Sequence, residues 1–234
     1  MRYKKPLANI LNDLISSLTF PVTIFKATQN GADWILNVDD AYYSQKGFTI
    51  SIGGNNYIIQ SVQAQSTYDI LTVTGTPTIS VNTFNMYPIY FFYGTLVDGG
   101  IQLSQIANAT QKTPLIFLPV DDSLVETYHN DPVTSHERSS RCKLYFLSQG
   151  DDSLLNPDAL SLNVEPMKRL FEIFNDATKD AISIFDYYNQ DFDLKLYAKF
   201  GVYSGGKQPS KLWADDLSGC GVDIKFDILK TQYE

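Results

Sequence analysis

Two apolar runs held apart by a long polar connection set the strongest limit on what this chain can fold into. Pro114-Leu115-Ile116-Phe117-Leu118-Pro119-Val120 is nearly continuous in apolar residues and bounded by prolines. Cys142-Lys143-Leu144-Tyr145-Phe146-Leu147 puts Cys142, Leu144 and Phe146 on one side and Lys143, Tyr145 and Leu147 on the other. Runs of this length, rich in aromatic and branched residues, read as strands buried on at least one face. Ile116-Phe117-Leu118 and Leu144-Tyr145-Phe146 are therefore expected to pair at the centre of a sheet. The connection, Asp121 to Arg141, holds Asp121, Asp122, Glu126, Asp131, Glu137, Arg138 and Arg141, with Pro132 in the middle. It is too polar for a core, and a loop that long is uncommon in a compact domain unless it is functional or flexible. The expectation is an arm or hairpin projecting from the sheet.

The flanking sequence alternates between two periodicities. Leu7, Ile10, Leu11, Leu14, Ile15 and Leu18 recur at the spacing of one helix face, with Pro6 in the first turn and Thr19-Phe20-Pro21 as the stop. From Pro21 to Gly94 the spacing turns to that of short strands: Val22–Phe25, Trp34–Val38, Phe48–Ile52, Tyr57–Val62, Tyr68–Val73 and Tyr87–Tyr93. Asn30-Gly31 and Gly53-Gly54-Asn55-Asn56 supply turns between them. This predicts a small β-barrel or sandwich inserted at 21–94, between a first helix and a body made of 1–20 and 95–234. Asp98-Gly99-Gly100 reads as a break, and Ile101 to Gln111 is ambiguous. Pro166 opens a second helix with Met167, Leu170, Phe171 and Phe174 on its apolar face. Phe192–Phe200 and Val222–Ile228 alternate as two strands of a hairpin with a long loop. The fold class expected is α+β (α/β). Its central sheet is mixed or antiparallel and covered by two main helices on one face, with the inserted β module and the projecting arm at 121–141.

Composition narrows the function classes. Apolar residues make up 44% and charged residues 19%, an ordinary globular balance, and 15 Tyr with 14 Phe favour strands. A net charge of −8 argues against a surface built to neutralise phosphates. No apolar run reaches membrane-spanning length, and the start of the chain has no signal-peptide pattern, so synthesis in a reducing cytoplasm is expected. Cys142 and Cys220 read as buried free thiols in strands, with a disulfide between neighbouring strands as the alternative.

No constellation points to catalysis, a cofactor or a metal. His129 and His136 lie in the polar arm beside Asp131 and Glu137 without ligand spacing. No Ser has the surroundings of an acyl-transfer nucleophile. Asp39-Asp40, Asp121-Asp122, Asp151-Asp152 and Asp215-Asp216 are paired acids of the kind a glycosidase uses, but four scattered pairs are more simply solvated turns. Tyr42, Tyr43, Tyr57 and Tyr68 offer a sugar-binding or single-strand-binding platform, against which stands their ordinary role as packing residues.

The order of elements resembles the tail-terminator or tail-completion proteins of tailed bacteriophages. The resemblance is carried by the amphipathic first helix, Lys112-Thr113-Pro114-Leu115-Ile116-Phe117-Leu118, the polar arm, and Cys142-Lys143-Leu144-Tyr145-Phe146-Leu147. The Pro166-Met167 helix and the strand led in by Leu217-Ser218-Gly219 extend it. It covers most of the chain outside 21–94 and consists of strand and helix phrases, with no motif residue to carry over. It implies a non-enzymatic virion protein without cofactor, forming a ring with itself, commonly hexameric. Such a ring caps the tail tube, meets the tail tube protein and the head-completion or neck protein, and lets DNA pass without specific binding. A neck or baseplate adaptor and a carbohydrate-binding β module are the alternatives. Glu126, Asp131, Glu137, Arg138 and Arg141 are the candidate interface residues of the arm, with Arg138 and Arg141 expected to face acids on the next subunit.

Overall fold

The computed structural model describes residues 5–75, 78–106, 112–121, 124–129, 136–150, 155–186, 191–203, 210–211, 213 and 216–229. Of these, 136, 137, 156, 203, 210 and 211 are described by backbone alone. The protein is mixed α+β, mostly strands, and divides into two compact units: Leu18–Pro88, joined by Lys112, and a body built from the rest of the described chain.

Leu18–Pro88 forms one antiparallel sheet of six strands: β1 (Pro21–Asn30), β2 (Asp33–Val38), β3 (Thr49–Ile52), β4 (Asn55–Ala64), β5 (Asp69–Thr74) and β6 (Thr83–Asn85). Their spatial order is β3-β4-β5-β2-β1-β6. Alternation along each strand decides the inside. Trp34, Leu36 and Val38 of β2 meet Leu71 and Val73 of β5 and Tyr57 and Ile59 of β4 in one buried layer. Gly53 and Gly54 both take positive φ, as the two-residue turn between β3 and β4 requires. Bulges in β1 (between Ile24 and Lys26) and β4 (between Ile59 and Ser61) add bend and twist. The side chain of Val81, just before β6, reaches Gly53 at the end of β3, so the sheet curls until its edges nearly meet as a barrel.

The body is a second sheet, of order β11-β15-β10-β8-β7, from β7 (Tyr90–Gly94), β8 (Leu115–Pro119), β10 (His136–Gln149), β11 (Phe185–Asp186) and β15 (Leu217–Leu229). The expected pairing is present: Phe117 opposes Tyr145 and Ile116 opposes Phe146. β10 and β15 run antiparallel along almost their whole length, from His136↔Leu229 to Gln149↔Leu217. β9 (Val125–Tyr128) adds to the far end of β10, and β12 (Lys195–Phe200) adds to β15. β12 and β15 pair as a long-looped hairpin, but through Leu217 to Gly221 and not through the expected Val222 to Ile228, and within its loop β13 (Val202–Tyr203) pairs with β14 (Ser210–Lys211).

Even-numbered residues of β10 face two helices. In α4 (Glu165–Asp180) Met167, Leu170, Phe171 and Phe174 are buried, and the Phe171 and Phe174 rings meet Phe146 edge-on at 5.5 and 5.6 Å. A short α3 (Asn156–Ala159) and a π-helical stretch (Leu160–Val164) lead into it. α1 (Leu7–Ser17) lies on the same side, because the Arg138 guanidinium donates to the carbonyl of Lys5 just before that helix. Its buried Leu7, Leu11 and Ile15 are the stripe expected from spacing.

Two expectations on this part of the chain are corrected. The insertion stops at Pro88: β7 was placed in the β module, yet it pairs in parallel with β8 as part of the body. Its aromatic run carries no mark of which sheet it joins. The presumed break at Asp98-Gly99-Gly100 lies inside α2 (Leu96–Gln105), the crossover between β7 and β8. Thr95 caps it: the Asp98 amide donates to Thr95 Oγ1, and Asp98 accepts from the Thr95 amide in return. Gly99 is needed for closeness, since a Cβ there would stand 2.8 Å from the Phe117 ring and 3.0 Å from Trp213. Leu103, Leu115, Phe117, Leu147, Phe200 and Trp213 thereby close the opposite face of the sheet.

Candidate functional site

In its described residues the arm expected to project from the sheet continues it. β9 and residues 138–141 form a hairpin in register Arg138↔Tyr128, Ser139↔Thr127, Ser140↔Glu126 and Arg141↔Val125, and β15 pairs with the other edge of the same stretch. Side chains on such a three-stranded patch must alternate between two faces, and they sort into two polar groups.

The even face holds Glu126, Arg138 and Ser140. Arg138 is only 3% exposed. Its guanidinium lies 3.5 Å from Glu126 Oε1, and Ser140 Oγ donates to the same oxygen at 3.4 Å. A buried cation must be paired and hydrogen-bonded where it lies. The expectation that Arg138 reaches towards a neighbour's acids is thus corrected: its acid is on the adjacent strand of its own chain. Glu126 is committed to the same pair. Asp131 lies outside the described residues, as does the side chain of Glu137.

On the odd face, Ser139 donates to Asp227, and Lys225 donates to the other oxygen of that carboxylate at 2.7 Å. His129 Nε2 is 2.9 Å from Ser139 Oγ. Because the Ser139 proton is spent on Asp227, the hydroxyl accepts from His129, which places a proton on Nε2. Arg141 is exposed on this face and sits directly opposite Lys225. Val125, Thr127, His129, Ser139, Arg141 and Lys225 line a groove of about 290 Å³.

Of the other candidates, Tyr43, Tyr57 and the Asp39-Asp40 pair have structural roles. Tyr43 and Tyr57 are fully buried and cannot present ring faces to a ligand; burial pushes both phenols up, Tyr43 further by its neighbour Tyr42. Tyr43 donates to the Tyr87 carbonyl at 2.6 Å. Asp39 and Asp40 accept backbone amides of Thr23, Asp40 and Tyr42, the work of a turn. Asp122, Asp151, Asp152 and Asp215 lie outside the described residues. Among the described residues no cluster of three His, Cys, Asp or Glu is placed to hold a metal. Cys142 and Cys220 are free and buried. They share a face of adjacent strands, but Cys142 opposes Ile224 and Cys220 opposes Phe146. That offset of four residues is about 13 Å, beyond the roughly 7 Å that a disulfide spans.

Exposed apolar side chains gather at both edges of the body sheet. At one edge are Tyr93 on β7 (47% exposed) and, on the outward face of α2, Val97 (62%) and Ile101 (51%). Along the opposite edge, Ile182 and Ile184 stand before β11 and Leu196 on β12, which pair with opposite ends of β15. Among the described residues no strand pairs with the outer edge of β7 or of β12. No protein-family model matches this chain, and no curated protein matches it.

Proposed function

We propose that the chain is a structural protein of a tailed-bacteriophage virion, one that assembles into a ring at the tail end and joins the tail tube to the head or neck. It acts through assembly and not through catalysis. The observation that supports this reading is the pair of unlike apolar edges on one sheet. A two-fold dimer needs one self-complementary patch, whereas a subunit with two different sticky ends associates head to tail, and such contacts close into rings where the rotation between copies closes. The edge at Tyr93, Val97 and Ile101 would meet the edge at Ile182 and Ile184 of the next copy. The net charge of −8 suits a channel that DNA traverses without adhering.

Mass photometry of the purified chain tests it. The expected result is a species at a whole multiple of 26.3 kDa, six copies in the commonest case. Val97→Glu combined with Ile101→Glu should shift the population to monomers that still unfold cooperatively, because both side chains are exposed in the single chain. A chain that stays monomeric at all concentrations and is missing from purified particles would defeat the reading. A double variant that still forms rings would place the interface elsewhere.

A further inference from the structure

The odd face of the β9–β10–β15 patch carries an arrangement that the ring reading does not use. The register sets Arg141 directly opposite Lys225, two cations whose Cβ atoms are about 5 Å apart at such a position. Like charges directly opposed across strands cost stability. The nearest acid does not relieve both. Asp227 is buried and divides its oxygens between Ser139 and Lys225. Arg141 has no ion-pair partner among the described residues, and Glu126 on the neighbouring strand belongs to the opposite face with Arg138. The patch is therefore locally cationic on a chain of net charge −8. It borders a groove of about 290 Å³ into which the hydroxyl-bearing Thr127 and the His129 ring also face, with Val125 as an apolar wall.

We propose that this groove is a binding site for a single oxyanion group, of phosphate or carboxylate class, held between Arg141 and Lys225. Guanidinium and ammonium hydrogen bonds to an oxyanion are charge-assisted and strong for their size. An anion placed there also eases the part of the Arg141–Lys225 repulsion that the Asp227 carboxylate leaves. The size of the cluster sets the class of ligand. Lys225 already meets the Asp227 carboxylate, so the surplus charge at the groove is that of Arg141, which suits one anionic group, whereas a nucleic-acid backbone needs a row of cations, each releasing counterions. The His129–Ser139–Asp227 chain of hydrogen bonds holds the groove floor in place. The site is complete within one copy and does not depend on assembly.

The test is a titration of the full chain with inorganic phosphate, followed by ³¹P line broadening and calorimetry, with sodium chloride holding the ionic strength constant. Matching the salt separates binding from simple screening of the Arg141–Lys225 repulsion. Wild type should saturate. Arg141→Ala should bind at least tenfold more weakly with its fold intact. Arg141→Glu should abolish binding. Acetate is the second arm: displacement of phosphate at similar concentration assigns the planar carboxylate class, and its failure to compete assigns the tetrahedral one. Absence of saturable phosphate and acetate binding by wild type overturns the proposal. So does unchanged affinity in Arg141→Ala, or an effect that equimolar chloride reproduces.

Discussion

Arg138 and Arg141 are three residues apart on one strand and do opposite things, because a strand sends odd and even residues to different faces. The guanidinium of Arg138 is buried against Glu126 and the Lys5 carbonyl; that of Arg141 is in solvent. Glu126→Gln should therefore cost about 1–3 kcal/mol, since it leaves a buried cation with a neutral partner. Arg141→Ala should stay within about 0.5 kcal/mol, as surface changes do. Urea denaturation of both variants checks the contrast, and equal effects would mean the two faces are misassigned. Neither role was legible in the sequence, where both arginines sit in one polar stretch. The parity of a strand can be read only after its register is known. The thiols were legible, because Cys142 and Cys220 stand in apolar alternation. Burial pushes both up, Cys220 to about 12, so almost no thiolate exists at neutral pH. A disulfide-exchange reagent should label neither in native protein and both in urea, and rapid native labelling would contradict the packing.

Elements whose stripe faces a single core were the readable ones: α1 and α4 from 3.6-residue spacing, β2 to β5 from alternation. α2 was not, for a physical reason. Its interior carries Gly99-Gly100, normally a mark against helix, and tertiary packing against Phe117 and Trp213 makes the missing side chain an advantage. The signal that was present is Thr95-x-x-Asp98, a capping box with Asp in place of Glu. Thr95→Ala should cost about 1 kcal/mol through the lost cap. The amide and hydroxyl of Thr95 hold the Asp98 carboxyl below the usual carboxylate range. A carboxylate whose value is lowered by folding adds stability above its unfolded value, about pH 4, and loses it as pH falls through the lower folded value. The wild type's advantage over Asp98→Asn should therefore be constant from neutral pH down to about 5 and shrink below 4. Thermal melts across that window check it, and an advantage that grows in acid would have the wrong sign for this linkage.

At the level of the whole molecule the division into a nearly closed β module and an α+β body follows from where apolar side chains find partners. The interior of the module is built from its own strands: Trp34, Leu36, Tyr57, Ile59, Leu71 and Val73 pack across paired registers inside Leu18–Pro88. The body has a separate interior, with Phe146, Phe171 and Phe174 on one face of its sheet and Phe117, Leu147 and Trp213 on the other. The sequence showed that an insertion was present, because the spacing of apolar residues changes at Pro21. It did not show the end, because Tyr90-Phe91-Phe92-Tyr93 suits an edge strand of either sheet. A core that closes within its own segment should survive without the rest of the chain. Replacing Leu18–Pro88 by a short Gly/Ser linker should accordingly leave a soluble body that unfolds in one cooperative transition, with the near-ultraviolet signal of Trp213 retained. The replacement must stop before Tyr90. Extending it to Gly94 removes β7, strips one edge from β8, and should abolish cooperative unfolding. If the two deletions behave alike, β7 contributes nothing to the body. If both lose the transition, the two interiors fold as one.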